Sequence, residues 1–193
     1  MKIIVASTIY PFVPGGSTLF VDWLVLALQA KGHDVETLLL PFSSDHTKML
    51  DQMLAIRLLD VSAHGECLIA VRPPSYLLSH PRKILWFIHH HRTAYDLWGT
   101  KYQDIPDTPE GRTYRDSIMH ADNVAFQEAE RVFCNSGVVA ARLKHFHQPL
   151  DVLLADDPFG QPLLVAWQRE FGGGIGANIT HSLAESKQAL DCR

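Results

Sequence analysis

The sequence predicts an α/β fold in which a doubly wound, mainly parallel sheet is followed by an irregular C-terminal tail. Three observations carry this reading. Short apolar runs rich in β-branched residues alternate with longer segments of helical periodicity, Gly, Pro or Asp clusters separate them, and the apolar runs lack polar alternation. Strands of that kind are buried on both faces, so helices must cover both sides of the sheet through right-handed crossovers.

Lys2-Ile3-Ile4-Val5-Ala6-Ser7 opens the chain as a strand. Tyr10-Pro11-Phe12-Val13-Pro14-Gly15-Gly16 then enforces a loop, because proline fixes φ and lacks a donor while glycine permits positive φ and close backbone approach. Ser17 reads as the N-cap of a helix from Thr18. Phe20, Val21, Leu24 and Leu28 recur at helical spacing, Asp22 falls in the first turn, and Lys31-Gly32 supplies a terminal cation and glycine. The helix N-terminus behind Gly15-Gly16 offers free N–H groups suited to an anion such as phosphate. A tight turn that only packs helix on strand is the other reading.

Residues 35–40 form a second strand stopped by Pro41, and residues 45–61 a helix in which Met49, Met53, Ile56 and the leucines beside Asp60 fill core positions. Residues 67–71 are a third strand, broken by Pro73-Pro74, and residues 83–88 a fourth that ends on His89. Beyond the turn-rich Asp107-Thr108-Pro109, a long helix covers residues 111–131 and a fifth strand residues 132–135. Ser136 caps the next helix, through Val139 and Leu143, before a sixth strand at residues 150–154.

At 193 residues, 47% hydrophobic and 20% charged, the chain has mass for one well-buried domain with an appendage and too little for two full α/β domains. A net charge of −4 leaves no basic footprint, so no nucleic acid partner is expected, while eleven histidines make the charge pH-sensitive. No run reaches the roughly 18 apolar residues of a membrane span, and no signal peptide is evident. Cys67, Cys134 and Cys192 are isolated and lack CxxC spacing, which points to a reducing cytoplasm and against structural zinc. Cys67 and Cys134 read as small core residues.

Ligands of such sheets gather outside the carboxyl ends of the strands. The candidates there are Gly15-Gly16, Arg72-Pro73, His89-His90-His91-Arg92 and Asn135-Ser136. In an extended segment His89 and His91 share a side and His90 points away. With no nearby carboxylate or cysteine pattern, these histidines read as polar strand-end residues rather than metal ligands, and no metal or cofactor is expected. Arg92 either holds an anionic acceptor or phosphate or makes a surface ion pair. Trp86 and Trp98 read as packing residues.

Tyr10-Pro11 with Gly15-Gly16, Leu24, Ala27-Leu28 and Lys31-Gly32-His33-Asp34-Val35, followed by Trp86-Phe87-Ile88-His89, resemble the family 4 glycosyltransferases of the GT-B fold. His91-Arg92-Thr93-Ala94-Tyr95-Asp96-Leu97-Trp98-Gly99-Thr100, Asp107-Thr108-Pro109-Glu110-Gly111 and Val132-Phe133-Cys134-Asn135-Ser136 are similar to one bacterial branch of that family. The resemblance spans about residues 1–154. It implies a Rossmann-like N-terminal domain that holds the acceptor and faces a second domain gripping a sugar nucleotide. It further implies that Gly15 and Gly16 approach the donor diphosphate and that His89 positions the reacting sugar. His91 and Arg92 would border the substrate, and Ser136 would either contact the acceptor or only cap its helix. The implied partners are a sugar nucleotide, a glycan or lipid-linked acceptor, and a separate donor-binding domain. The implied location is cytoplasmic, with a peripheral seat at the inner membrane face left open.

Residues 155–193 depart from the family pattern. Gly172-x-Gly174-x-x-Ala177 formally matches a dinucleotide fingerprint, but Gln168-Arg169-Glu170 is no strand end and too little chain follows for a βαβ unit. A linker, a cap with a short helix at residues 180–190, or a non-native tail is expected instead. The functional expectation is the acceptor-side half of a hexosyl-transferring enzyme, inactive alone. A non-catalytic glycan- or nucleotide-binding module, or a truncated remnant, is the alternative.

Overall fold

The computed structural model describes residues 1–9, 16–43, 45–147 and 152–154. The expectations for residues 155–193, Gly15 and Cys192 lie outside the described residues. The compact unit Met1–Leu154 is a Rossmann-like α/β domain.

Its elements are β1 (Lys2–Ile9), α1 (Gly16–Ala30), β2 (Asp34–Pro41), α2 (Met49–Arg57), β3 (Cys67–Ala70) and β4 (Lys83–Phe87), then α3 (Pro109–Gln127), β5 (Arg131–Cys134), α4 (Gly137–Phe146) and β6 (Val152–Leu154). The six strands pair in parallel in the order β2-β1-β3-β4-β5-β6. Ile3 stands opposite Val35 on one side and Cys67 on the other, which fixes the register at the centre.

Period-two alternation divides the core between the sheet's faces. On one face Ile3, Val5, Cys67, Ile69 and Val71 pack with Val21 and Leu24 of α1. On the other, Ile4, Ala6, Leu68, Ala70, Leu85 and Phe87 pack with α2, α3 and α4 through Met49, Met53, Ile56, Ile118, Phe126 and Leu143. Cys67 and Cys134 are buried free thiols of this core. Trp86 packs edge-on to Phe20 and stacks with Phe133, and Arg115 lies over the Trp98 ring.

Lys83 is fully buried at the start of β4. Its ammonium donates to Glu128 at 2.8 Å and to the carbonyls of Tyr76 and Leu78. All three donors of the charge are thus matched, as burial demands.

Several local expectations need correction. α1 starts at Gly16 rather than Thr18, so Ser17 lies inside the helix, Asp22 falls beyond its first turn, and Lys31 follows its end. Gly32 does adopt φ of 81°, the left-handed stop that glycine permits. α2 ends at Arg57, not Val61. Asp60 accepts from the Ser62 amide at 2.9 Å and from its hydroxyl at 2.6 Å, a local turn that competes with the helix. Leu58 and Leu59 are therefore exposed instead of core. α3 stops at Gln127, and Arg131 already belongs to β5. None of the described helices is long and apolar enough to cross a membrane.

Candidate functional site

The strand order reverses between β1 and β3, since β1 leads to β2 on one side and the remaining strands lie on the other. A crevice opens at the carboxyl ends beside such a reversal. There the Thr8 hydroxyl donates to the Pro73 carbonyl at 3.0 Å, and Ser75 Oγ donates to the Arg72 carbonyl at 2.6 Å. Arg72 Nη1 reaches the Thr8 carbonyl at 3.4 Å. The segment after β3, which includes the cis Pro73-Pro74 bond, is thereby tied to the end of β1.

A cavity of about 230 Å³ lies against this segment. Phe42 from beyond β2, Arg72 and Pro73 from beyond β3, and His89 to Thr93 from beyond β4 border it, with Asp104. β4 stops at Phe87 and a 3-10 turn starts at Arg92, so the three histidines follow the strand rather than continue it, and all three residues border one cavity. His90 is nevertheless the ring sunk into the core, at 1% exposure.

His89 Nδ1 donates to the His90 carbonyl at 2.6 Å, which leaves Nε2 as the acceptor of a neutral ring. Burial holds its pKa below the ordinary value against the raising effect of the His90 carbonyl bond, and the Arg72 and Arg92 charges act with burial while Asp96 opposes them. Burial also brings His91 down to about 4, and its Nε2 is buried without a partner. Arg92 pairs with Asp96 at 3.6 Å, while Arg142 holds the same carboxylate at 2.9 Å. Of its two expected roles, the ion pair is thus visible. Ser136 Oγ accepts from the Val139 amide at 3.3 Å and caps α4. Gly16 is the first residue of α1 rather than the last of the preceding loop.

Two buried polar groups escaped sequence reasoning. Asp122 of α3 accepts from Tyr76 at 2.9 Å and Tyr95 at 2.8 Å, and burial pushes its pKa up to about 7 in spite of both bonds. Its signal was present, since Ile118, Asp122, Ala125 and Phe126 lie on one helical stripe. Beside it, Asn123 Oδ1 accepts from His147 Nδ1 at 2.5 Å, and His147 Nε2 lies 2.8 Å from His90 Nε2. Tyr95 stacks on His90 with centroids 4.0 Å apart.

A larger cavity, about 680 Å³, lies at the amino ends of β3 and β4 between Arg57, Asp60, His80 and Glu128. There Arg57 pairs with Glu128, which also holds the buried Lys83. It also lies at the sheet end opposite the crevice, so the smaller cavity is the candidate site. Among the described residues no group of three His, Cys, Asp or Glu side chains is placed to hold a metal ion.

Compared with known proteins, the chain matches no family model and no curated protein.

Proposed function

We propose that the unit Met1–Leu154 is the acceptor-side domain of a glycosyltransferase similar to family 4 of the GT-B fold, transferring a hexosyl group from a sugar nucleotide gripped by a separate donor-binding domain. The observation that carries the reading is the strand-end cavity in which a neutral His89 keeps Nε2 as an acceptor beside Arg72. A neutral imidazole orients a sugar hydroxyl without placing a charge next to the reacting carbon. Arg72 supplies the positive field that favours a departing phosphate. Closure by the donor domain excludes water from the crevice. The loop before α1, including Gly15, approaches the diphosphate in this reading, while Ser136 serves as a helix cap. A cytoplasmic setting, peripheral to the inner membrane face for a lipid-linked acceptor, fits the same chemistry.

The test is hexosyl transfer from labelled nucleoside-diphosphate hexoses by the full chain, alone and mixed with donor-side domains. Transfer in the mixture and none by the chain alone is expected. Glycan binding with no transfer in any mixture assigns a binding module instead, and full turnover by the chain alone removes the need for a second domain.

A further inference from the structure

The two tyrosines that share Asp122 belong to the two segments that border the candidate cavity. Tyr76 follows Arg72 and Pro73 beyond β3, and Tyr95 follows His89 to Thr93 beyond β4. Each donates to a different oxygen of the one carboxylate, Tyr76 to Oδ1 at 2.9 Å and Tyr95 to Oδ2 at 2.8 Å, so α3 ties the segments to each other. Both ties reach cavity residues. On one side the hydroxyl of Ser75, the neighbour of Tyr76, donates to the Arg72 carbonyl at 2.6 Å. On the other, Tyr95 stacks on His90 with centroids 4.0 Å apart, and the His90 carbonyl accepts from His89 Nδ1 at 2.6 Å. Arg115, also on α3, donates to the Ala94 carbonyl at 2.7 Å and steadies the same segment.

Stability alone does not account for this arrangement. Tyr76, Asp122 and Tyr95 are all buried, and taking a carboxyl and two hydroxyls out of water offsets much of what their bonds return. The same face of α3 is otherwise apolar through Ile118, Ala125 and Phe126, and an apolar core of matching shape is often as stable as a buried polar network. A fully paired network instead fixes one placement of the groups it joins.

We infer that Asp122 is a positioning residue of the candidate site, a buried clamp that holds the Arg72 segment and the His89 segment in one fixed relation at the cavity. The chemical use of that relation rests on the glycosyl-transfer reading, whereas the clamp itself can be measured without it. The Arg72 charge is near enough to His89 to lower the pKa of its ring, together with burial and Arg92 and against the His90 carbonyl bond and Asp96. When the segments drift apart, that charge and that burial both weaken. The His89 midpoint then rises toward 6.5.

The experiment compares the full chain with Tyr76→Phe, Tyr95→Phe, Asp122→Asn and the triple variant Tyr76→Phe/Asp122→Leu/Tyr95→Phe. Spectra of ¹⁵N-labelled histidine followed against pH give the His89 midpoint, and urea unfolding at neutral pH gives the stability. The triple variant exchanges the network for apolar side chains of similar shape, so it should unfold at the parent's urea concentration or above while the His89 midpoint rises. Each single tyrosine change should raise that midpoint as well. Asp122→Asn, whose amide accepts from one tyrosine and donates to the other, should keep it at the parent value. Val21→Ala, in the core on the other face of the sheet, is the control and should lower the urea midpoint without moving His89. In a reconstituted transferase the triple variant should lower kcat roughly tenfold or more, the effect of a small misplacement. A His89 midpoint unchanged in both single tyrosine variants, moved by Asp122→Asn, or moved as far by Val21→Ala overturns the inference, and none of these results needs the triple variant to fold. Midpoints as expected with no transfer in any mixture would sink the enzymatic reading alone. Transfer at the parental kcat by both tyrosine variants, with His89 unmoved, would sink the clamp alone.

Discussion

His89 draws its chemical character from its neighbours more than from its own ring. The bond from Nδ1 to the His90 carbonyl fixes one nitrogen as donor, and burial beside Arg72 keeps the proton off the other. If Nε2 orients a sugar hydroxyl, His89→Ala in a reconstituted transferase should lower kcat roughly hundredfold, the cost of a misplaced reactant. His89→Gln, whose side-chain oxygen can still accept, should recover part of that loss. Equal kcat for parent and His89→Ala would remove His89 from the chemistry. His89 was legible in the sequence because a strand end announces itself by the polar residue after an apolar run. His90 and His147 were not, because they stand 57 positions apart and only the packing of α3 and α4 on one sheet face joins them. Asp122 was legible in principle as a carboxylate on an apolar stripe, but its two tyrosine partners come from separate loops.

Helix ends separate the two readings of Ser136. Its Oγ accepts from the Val139 amide, and such caps contribute about 1 kcal/mol. Ser136→Ala should lower Tm by about 2–4 °C in a chain of this size while glycan binding stays unchanged. A loss of binding without a loss of Tm would make Ser136 a ligand contact instead. The start of α3 makes a stronger demand. A Cβ at Gly111 would lie 1.8 Å from the Pro106 carbonyl oxygen, a backbone atom that cannot rotate away. Alanine ordinarily favours a helix over glycine by about 1 kcal/mol, but overlap of this kind costs more. Gly111→Ala should therefore destabilise by about 2 kcal/mol or more, seen as a lower urea midpoint, and a midpoint equal to or above the parent's would refute the contact. Element order and type were legible because strands buried on both faces have no alternation to disguise them. Ends were less so: Leu58 and Leu59 extend the apolar period of α2, yet the Asp60–Ser62 turn cuts it at Arg57.

At the scale of the whole domain, buried ionisable groups set the response to acid. Burial holds His90 to about 3 and both His91 and His147 to about 4, against an ordinary 6.5, and lowers His89 as well. Each is neutral when folded and protonated when unfolded between those values, so each contributes stability that is present above about pH 6.5 and lost as the pH falls toward 4. Asp122 acts oppositely. Its folded pKa of about 7 lies above the ordinary 3.8, so the folded state binds the extra proton in the same window and gains stability as the pH falls. Several imidazoles oppose one carboxyl, and the imidazoles win. Glu128, held at about 2 by Arg57 with help from Lys83, adds to the loss only below about pH 4.5. Urea midpoints should therefore fall steadily from pH 7 to pH 4. Asp122→Asn removes the one opposing titration, so its midpoint should fall more steeply over that range, whatever the pH-independent cost of re-pairing Tyr76 and Tyr95. His147→Phe should make the fall shallower by removing one imidazole. If all three proteins lose stability along parallel lines, the buried network does not govern acid unfolding, and the opposed titrations assigned to α3 and the His90–His147 pair are wrong.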